Sequence, residues 1–234
     1  MSLFLALVAL QASPVWIGKF SGSGEPPAPW RTVRVGKAKA TSYQLATIAN
    51  SGAVEARVDN SMALLVRPIK VDLARTPMLC WQWRIDAVVP RGDIRTKRGN
   101  DFAARVYVGF DMPASALSGS AKMKLRIARD LLGMEVPDAA LTYVWDNSSR
   151  LGVAVRSPYS DRQQLIVTES GNARARQWVT ERVDVASDFK QAFDGKPGRP
   201  VELAIAADGD NTRTVGRAAF SNLHFVRRDQ QCAT

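Results

Sequence analysis

The sequence predicts an all-β protein, a single antiparallel β-sandwich of the jelly-roll type that carries one or two short inserted helices. Two observations lead to this fold class. Short segments that alternate apolar with polar residues, and that are rich in β-branched and aromatic side chains, recur between turn residues along most of the chain. No regular helix separates consecutive segments, so the pattern differs from that of a parallel α/β protein. We place the domain at residues 30–228 of the 234-residue chain.

About a dozen segments are expected to be strands, because each has the alternation and the flanking turn residues of a half-buried strand. A chain of this length can bury a large core without disulfide bonds. In chain order the segments are WRTVRV, SYQLATIA, AVEARVD, MALLVRPIKV, MLCWQWRIDAVV, FAARVYVGF, LTYVWD, LGVAVR, QLIVTES, WVTERVDV, VELAIAA and GRAAFSNLHFV.

The two ends are expected to lie outside the domain, as an N-terminal segment of residues 1–29 and a tail of residues 229–234. The stretch MSLFLALVALQASPVW resembles the hydrophobic part of an export signal, with small Ala12 and Ser13 at a possible cleavage point. It lacks a positively charged start, and a packed or disordered arm is the alternative. The next stretch, SGSGEPPAP, has the composition of a linker. We therefore predict a periplasmic or secreted protein, and no stretch is long enough to cross a bilayer.

Two segments have helical instead of strand periodicity. The first, GSAKMKLRIARDLLGM, is expected to pack its apolar stripe over a sheet edge and to end near Gly133; docking of this basic amphipathic helix on an anionic membrane is the alternative. The second, SDFKQAFDG, is expected to be a short helix capped by Ser187 or Asp188 and ended by Gly195. The apolar residues on these helices are Met123, Ile127, Leu131 and Met134 in the first, and Phe189, Ala192 and Phe193 in the second.

Charge and cysteine content restrict the function classes. Lys and Arg outnumber Asp and Glu by 32 to 22, which gives a net charge of +10. Such a field attracts acidic polysaccharide, anionic lipid or nucleic acid. The single histidine, His224, excludes the usual zinc spacings and most hydrolase triads. Cys80 and Cys232 are expected to be a buried thiol and a tail thiol, with a disulfide bond between them as the alternative.

Two strands carry the candidate ligand-binding residues. Side chains alternate along MLCWQWRI, so Trp81, Trp83 and Ile85 are expected in the core and the residues between them on the other face. NDFAARVYVGF likewise places polar side chains on one face. If the two strands are neighbours, these side chains form a polar strip of the kind that binds extended glycans. The strip consists of Gln82, Arg84, Asp101, Arg105 and Tyr107.

The same residues allow other interpretations. Asp101 and Arg105 could be a structural ion pair that closes over the sheet. An Arg, Gln and Tyr cluster also suits a polysaccharide lyase, in which a cation neutralises a uronate carboxylate and a phenolate takes the neighbouring proton. A glycoside hydrolase would draw paired carboxylates from Asp101, Asp146 and Asp208.

Among these functions we favour non-catalytic binding of a glycan or another anionic envelope component. The lyase or hydrolase of acidic polysaccharide is the alternative. The lyase set lacks a histidine partner on the two strands, because His224 lies near the C-terminus. Nucleic acid is disfavoured, since the sequence has no basic motif with interleaved aromatic residues.

The stretch DGDNT supplies oxygen atoms that calcium prefers, at alternate positions of a tight turn. The further ligands of an EF-hand loop are missing after it. Asp, Gly and Asn are also the residues that tight chain reversals prefer. We therefore expect no cofactor and a turn that braces the last two strands, with calcium as the alternative if a distant carboxylate joins. The possible metal ligands are Asp208, Asp210, Asn211 and Thr212.

Five motifs follow one another in order: NSMALLVRPIKVDLARTPMLCWQWRI, GNDFAARVYVGF, LTYVWDN, QWVTERVDVASDFKQAFDG and LAIAADGDNTRTVGRAAFSNLHF. This succession, over about residues 30–226, resembles the bacterial family known as domain of unknown function 3047. The resemblance implies export and a jelly-roll-like sandwich, but no reaction. The family carries two acidic residues before the Phe, where this chain has Asn100 and Asp101. The family pattern matches Trp81, Trp83, Asp101, Arg105, Tyr143, Trp145, Trp178, Asp208, Asp210, Asn211 and Thr212.

Overall fold

The computed structural model describes residues 13–132 and 136–233, and over these residues the protein is a sandwich of two β-sheets. The mainly β, jelly-roll-like class that the sequence predicts is confirmed. The front sheet contains β2 (Arg31–Arg34), β5 (Ala63–Pro68), β7 (Ala104–Asp111), β8 (Ala139–Asp146), β9 (Ala154–Ser157), β10 (Ser160–Ser170) and β12 (Arg199–Ala206). The back sheet contains β1 (Val15–Gly18), β3 (Ser42–Ile48), β4 (Ser51–Asp59), β6 (Met78–Ile85), β11 (Val179–Asp184) and β13 (Val215–Val226).

The strand order brings distant parts of the sequence together. In the front sheet the order is β2-β5-β12-β7-β8-β10-β9, and in the back sheet it is β11-β6-β13-β4-β3 with β1 also on β13. The strand pairs are antiparallel except β8 and β10, which run parallel, so the front sheet is mixed while the back sheet is antiparallel as predicted. Strands β2 to β13 coincide with the segments expected from alternation, because core-facing side chains recur at every second position of a strand.

Aromatic side chains join the two sheets across the core. Trp81 and Trp83 on β6 are fully buried, as the alternation predicts. Their rings lie 5.6 Å from those of Tyr143 and Trp145 on β8, measured between ring centroids. Such tilted aromatic pairs add to the free energy of burial. The inner face of each sheet is therefore sealed, and functional side chains must lie on an outer face or at the strand ends.

The first helix, α1 (Gly119–Leu132), forms where it is predicted but presents a different face. Leu125 is 7% exposed, whereas Met123 and Ile127 of the expected inward stripe are 58% and 49% exposed. The helix takes this orientation because Arg129, one turn after Leu125, donates hydrogen bonds to the Val136 carbonyl and to Asp138. These bonds hold the face with Leu125 and Arg129 against the domain. The side chain of Leu131 and the residues Gly133 and Met134 lie outside the described residues.

The second helix, α2 (Val185–Ala192), begins earlier than expected. Asp184 caps it by accepting a hydrogen bond from the Ser187 backbone N–H at 3.0 Å, so neither Ser187 nor Asp188 is the cap. Phe189 and Ala192 are buried, as the helical spacing predicts. Phe189 packs on Phe110 at the far end of β7.

Both chain ends extend the domain beyond the predicted limits of 30–228. Strand β1 pairs with β13, and Gly24, inside the expected linker, bridges Leu45. Backbone hydrogen bonding to a sheet overrides the linker-like composition of this stretch. Residues 1–12, which contain most of the signal-like stretch, lie outside the described residues. Within the described ranges, no helix is long and apolar enough to cross a membrane.

The tail beyond residue 228 also packs on the domain. Cys80 and Cys232 form a disulfide bond, so the expectation of two unpaired thiols is wrong. Cys80 is buried on the outward side of β6, and the tail folds back over it. The Ala233 backbone N–H donates a hydrogen bond of 2.9 Å to His224 Nε2. His224 is thus a structural residue of the back sheet.

Candidate functional site

The outer face of the front sheet contains a groove with a volume of about 660 Å³, within the usual size range of ligand-binding clefts. The floor of the groove is deep because the side chains around it are small. Ala140 on β8 lies beside Gly109 of β7, and Ala204 on β12 lies beside Tyr107 of β7. Helix α1 and the turn between β9 and β10 line the groove as well. We call this cleft the groove.

Gly109 is needed for the shape of the groove floor. A Cβ atom at this position would lie 2.6 Å from Pro137 Cγ and 2.7 Å from Glu202 Cγ. Both distances are shorter than real carbon contacts, so any larger residue would displace the Glu202 side chain or Pro137. The glycine therefore leaves room for both residues beside β7.

The polar and aromatic lining of the groove suits a hydroxyl-rich ligand. Tyr107 lies half-buried on the floor, and Tyr159, in the β9–β10 turn, is 54% exposed. Gln163 donates a hydrogen bond of 2.8 Å to Thr142 and is held in place at the cleft. An exposed ion pair of 3.5 Å between Lys124 and Asp161 joins α1 to β10 at the rim. Aromatic faces with hydrogen-bonding groups around them are typical of sugar-binding surfaces.

Burial changes the acidity of two groups in the groove. It raises the pKa of Tyr107 to about 12, although the nearby Arg105 guanidinium opposes the change. It also raises the pKa of the Glu202 carboxyl above its ordinary value, against the attraction of Arg31. Tyr107 is therefore a neutral hydrogen-bonding phenol at physiological pH and not a ready phenolate base.

Next to Tyr107, the outer face of β7 carries a buried ionic network. Arg105 is 3% and Asp208 2% exposed. Arg105 Nε donates to Asp208 Oδ1 at 2.7 Å and Nη2 donates to Asp208 Oδ2, which makes the contact bidentate. Arg105 also donates to the side-chain and backbone oxygens of Asn100. Burial raises the pKa of Asp208 to about 7, while Arg105 and the Phe102 N–H act in the opposite direction.

Asp101 occupies the adjoining part of the network without contacting Arg105 directly. Its carboxylate accepts hydrogen bonds from the Thr212 backbone N–H at 2.6 Å and from Thr212 Oγ1 at 2.7 Å. The other oxygen accepts from Asn211 Nδ2 at 2.8 Å. We call Asn100, Asp101, Arg105, Asp208 and Thr212 the buried brace, because they tie the loop before β7 to the turn after β12.

The polar strip expected from the sequence does not form. β6 lies in the back sheet and β7 in the front sheet, so Gln82 and Arg84 are not beside Arg105. Gln82 instead contacts Thr180 and Asn222 of its own sheet. The expected Asp101–Arg105 ion pair is also replaced, since Asp208 is the partner of Arg105.

Of the predicted ligand-binding residues, Tyr107 alone lines the groove, while Asp101 and Arg105 are sealed in the buried brace. Gly109, Tyr159 and Glu202 also line the groove, although the sequence did not indicate them as candidate site residues. Glu202 interrupts the apolar run VELAIAA, and a charged residue in such a run is the signal that could have drawn attention to it.

The calcium alternative now has its distant carboxylate, because ligand oxygens of Asp101, Asp208 and Asp210 lie within 4.8 Å of one another. Asp101 and Asp208 nevertheless already accept hydrogen bonds on both oxygens, and Arg105 supplies a positive charge between them. The positive charge of Arg105 therefore stabilises these carboxylates as a bound metal cation would. Asp146, the third hydrolase candidate, accepts hydrogen bonds from the Ser148 and Ser149 backbones.

These features define a class of protein, a jelly-roll-like β-sandwich with a cleft on one outer sheet face and a buried ionic network at the end of that cleft. Residues 28–224 match the family described as Protein of unknown function (DUF3047), and the chain belongs to that family. The buried brace contains Asp101, Arg105, Asp208 and Thr212, four of the residues in the sequence motifs that resemble this family. No curated protein matches the sequence significantly.

Solved structures with a similar architecture include three carbohydrate-acting proteins. The family 12 endoglucanase 3 of Trichoderma harzianum has 8% identity and a TM-score of 0.37, over 86% of this chain and 100% of that one. The family 12 xyloglucanase of Bacillus licheniformis has 7% identity and a TM-score of 0.38, over 93% of this chain and 97% of that one. The xyloglucanase domain of NopAA from Sinorhizobium fredii has 10% identity and a TM-score of 0.35, over 91% of this chain and 93% of that one. At such identities and TM-scores, the similarity carries no argument about function.

Proposed function

We propose that this protein is exported and binds a glycan, without catalysing a reaction on it, in the groove of the front sheet. The observation that supports this function is the cleft of about 660 Å³ with Tyr107 and Tyr159 among its lining residues. Their rings suit stacking on sugar faces, and Gln163 and Glu202 offer hydrogen bonds to hydroxyl groups.

The disulfide bond supports the proposed location. Bonds such as Cys80–Cys232 persist in oxidising compartments and are rare in the reducing cytosol. A periplasmic or secreted protein would meet envelope and extracellular glycans. The net charge of +10 favours polymers with acidic groups among them.

The groove chemistry favours binding over catalysis. A lyase needs a base and a cation free to meet a carboxylate, but the pKa of Tyr107 is raised to about 12 and Arg105 is committed to Asp208. Hydrolysis by the usual route needs two carboxyl groups beside the scissile bond. The described groove residues include two with carboxyl groups, Glu202 and Asp161. Glu202 is half-buried, whereas Asp161 lies at the rim, where its side chain is 72% exposed and pairs with Lys124.

The proposal is tested by blocking the groove. Ala140→Tyr places a ring on the floor of the cleft, where the half-buried alanine leaves room for the fold to tolerate it. Ala46→Tyr on β3 is the matched control, since Ala46 is also half-buried but lies in the back sheet. Binding to a panel of neutral and acidic polysaccharides is measured by affinity electrophoresis and calorimetry.

We expect Ala140→Tyr to weaken binding about tenfold or more and Ala46→Tyr to leave it unchanged. Equal binding by both variants would reject the groove as the site. Long incubation of the wild-type protein with each polymer checks the alternative, because new reducing ends or unsaturated products would indicate a hydrolase or a lyase.

A further inference from the structure

Beyond the groove, the loops tied together by the buried brace enclose a second, shallower cavity of about 460 Å³. Three arginines line it, Arg91 and Arg98 from the loop before β7 and Arg213 from the turn after β12. We call this cavity the arginine basin. Among the residues that the structure describes, the lining has one acidic residue, Asp93, and the polar residues Thr96, Asn211 and Thr212.

Two of the three guanidinium groups are free to meet a ligand. Arg91 donates a hydrogen bond to the Thr212 carbonyl and is partly committed. Arg98 and Arg213 are exposed, and neither has an ion pair or a side-chain hydrogen bond with any residue that the structure describes. Asp93 instead accepts a hydrogen bond from the Arg95 backbone N–H. An excess of positive charge thus remains in the basin.

The backbone under the basin is fixed and not a loose surface loop. Arg213 has a positive φ of 56°, a conformation that residues with a side chain seldom adopt. The neighbouring Thr212 is held by Asp101, and the Thr214 N–H bonds to the Gly209 carbonyl at 2.9 Å. On the other loop the Asp93 N–H bonds to the Gly99 carbonyl at 2.6 Å. The brace therefore presents Arg98 and Arg213 on supported turns.

The arginine basin adjoins the groove at Tyr159. The Tyr159 hydroxyl lies 3.0 Å from both the Lys97 carbonyl oxygen and Asn211 Oδ1. Tyr159 lines the groove, and Asn211 lines the basin. A chain-like ligand that passes over Tyr159 from the groove would next meet the basin.

We propose that the arginine basin is an anion subsite that binds the carboxylate of an acidic sugar in a glycan held by the groove. This inference rests on the proposed function and names its substrate class, a polysaccharide that contains uronic acid. Guanidinium groups match carboxylates by paired, charge-assisted hydrogen bonds. The described groove lining has two cationic and two acidic side chains, so the excess of positive charge is confined to the basin, which suits isolated carboxylates better than a continuous chain of phosphates.

The test compares polymers that differ in charge alone. Polygalacturonate, alginate and hyaluronate are each paired with their carboxyl-reduced form, and binding to wild type is measured at constant ionic strength. The basin variant is the double substitution Arg98→Gln with Arg213→Gln. Its matched control, Lys190→Gln with Lys196→Gln, removes the same charge from exposed positions around α2, at the opposite end of β7. The groove variant Ala140→Tyr is measured in parallel.

The expected result is that wild type prefers at least one acidic polymer over its reduced form by about tenfold. The basin variant should lose that preference while it still binds the reduced form, and the lysine control should keep it. If the basin variant keeps the full preference, the subsite is rejected while the groove proposal stands.

Two other outcomes also overturn the inference. If wild type binds none of the polymers, the proposed function fails and the subsite with it; Ala140→Tyr then has no effect to show. If a single-stranded oligonucleotide binds more tightly than every polygalacturonate, alginate and hyaluronate sample, and this binding depends on Arg98 and Arg213, the basin recognises phosphate instead of sugar acids.

Discussion

At the scale of single residues, Arg105 shows how a charge on a sheet face becomes structural. The sequence places it on the outer side of β7, between an aspartate and a tyrosine, where a ligand-binding role is a reasonable expectation. The loop before β7 and the turn after β12 then close over it, and Asp208 arrives from more than a hundred residues away. Periodicity identifies which side chains share a face, but it does not indicate what covers that face.

The Arg105–Asp208 pair predicts a strongly non-additive mutant series. Arg105→Met should destabilise the protein by about 3–5 kcal/mol, because it leaves the Asp208 carboxylate buried without its cation. Arg105→Met combined with Asp208→Asn should recover most of that loss, since the amide oxygen can still accept from the Phe102 N–H. Urea denaturation followed by tryptophan fluorescence measures both.

Arg217→Met serves as the control for the removal of an arginine. Arg217 is 60% exposed in its side chain and lies 4.0 Å from Glu55, so its loss should cost less than about 0.5 kcal/mol. A similar small cost for Arg105→Met alone would contradict the buried ion pair.

Glu181 on β11 predicts a pH dependence of stability. Burial raises the pKa of Glu181 from 4.5 to about 7, the nearby Glu169 adds to the increase, and a hydrogen bond from Trp83 Nε1 opposes it. The folded protein then holds a proton that the unfolded chain releases near pH 4.5. Its contribution to stability is present below that pH and is lost as the pH rises through about 7.

Glu181→Gln keeps an oxygen acceptor for Trp83 and removes the titration. We expect the variant to be more stable than wild type at pH 8, by an amount on the order of 1–3 kcal/mol, and to show less change between pH 4.5 and 7.5. Thermal melts across this range measure the effect, and Glu25→Gln, at an exposed position, is the control. Parallel pH profiles for wild type and Glu181→Gln would show that Glu181 ionises normally.

At the scale of elements, alternation predicted β2 to β13 because the core-facing side chains recur at every second position of a strand. It could not assign the strands to sheets. The segments of β6 and β7 follow one another in the sequence, yet β6 pairs with β13 and β7 with β12. This partition depends on contacts between distant residues and separates Gln82 from Arg105. Likewise, helical spacing predicted α1, but the Arg129 hydrogen bonds to the loop before β8 decided which face turns inward.

The turn DGDNT predicts the response to calcium. Asp101 and Asp208 already accept hydrogen bonds on both oxygens, and Arg105 would repel a divalent cation. We therefore expect millimolar calcium, followed by a chelator, to leave the melting temperature unchanged. Magnesium at the same concentration controls for ionic strength. An increase specific to calcium, removed by the chelator and absent in Asp210→Asn, would assign a calcium site to this turn instead of a brace alone.

At the scale of the whole molecule, the sandwich combines a packed core with surface cavities that its outer sheet face and its connecting segments form. The inner faces are sealed by aromatic pairs such as Trp83 with Trp145. The groove and the arginine basin are built from the outer face of the front sheet and from loops and helix α1. The sequence could predict the core, since burial leaves a periodic pattern. It could not predict the cleft, because its shape depends on small residues such as Gly109 that carry no pattern of their own.

The back sheet, in contrast, is completed by both ends of the described chain. β1 adds to β13, where the Trp16 and His224 rings lie 4.5 Å apart, and the tail adds the Cys80–Cys232 bond. This bond joins residues separated by 152 positions, so it encloses most of the domain in a covalent loop. Cross-links over long loops restrict the unfolded chain and stabilise the fold, typically by about 2–4 kcal/mol.

We therefore expect Cys80→Ala combined with Cys232→Ala to lower the free energy of unfolding by about 2–4 kcal/mol without changing the fold. The same loss should appear when wild type is unfolded in reductant, and reductant should have no effect on the double variant, which thus controls for chemical side effects. Urea denaturation with and without reductant measures all four states. If the unreduced wild-type protein, once denatured, reacts with a thiol reagent at both cysteines, the bond is absent and the tail is held by packing and the Ala233 hydrogen bond to His224 alone.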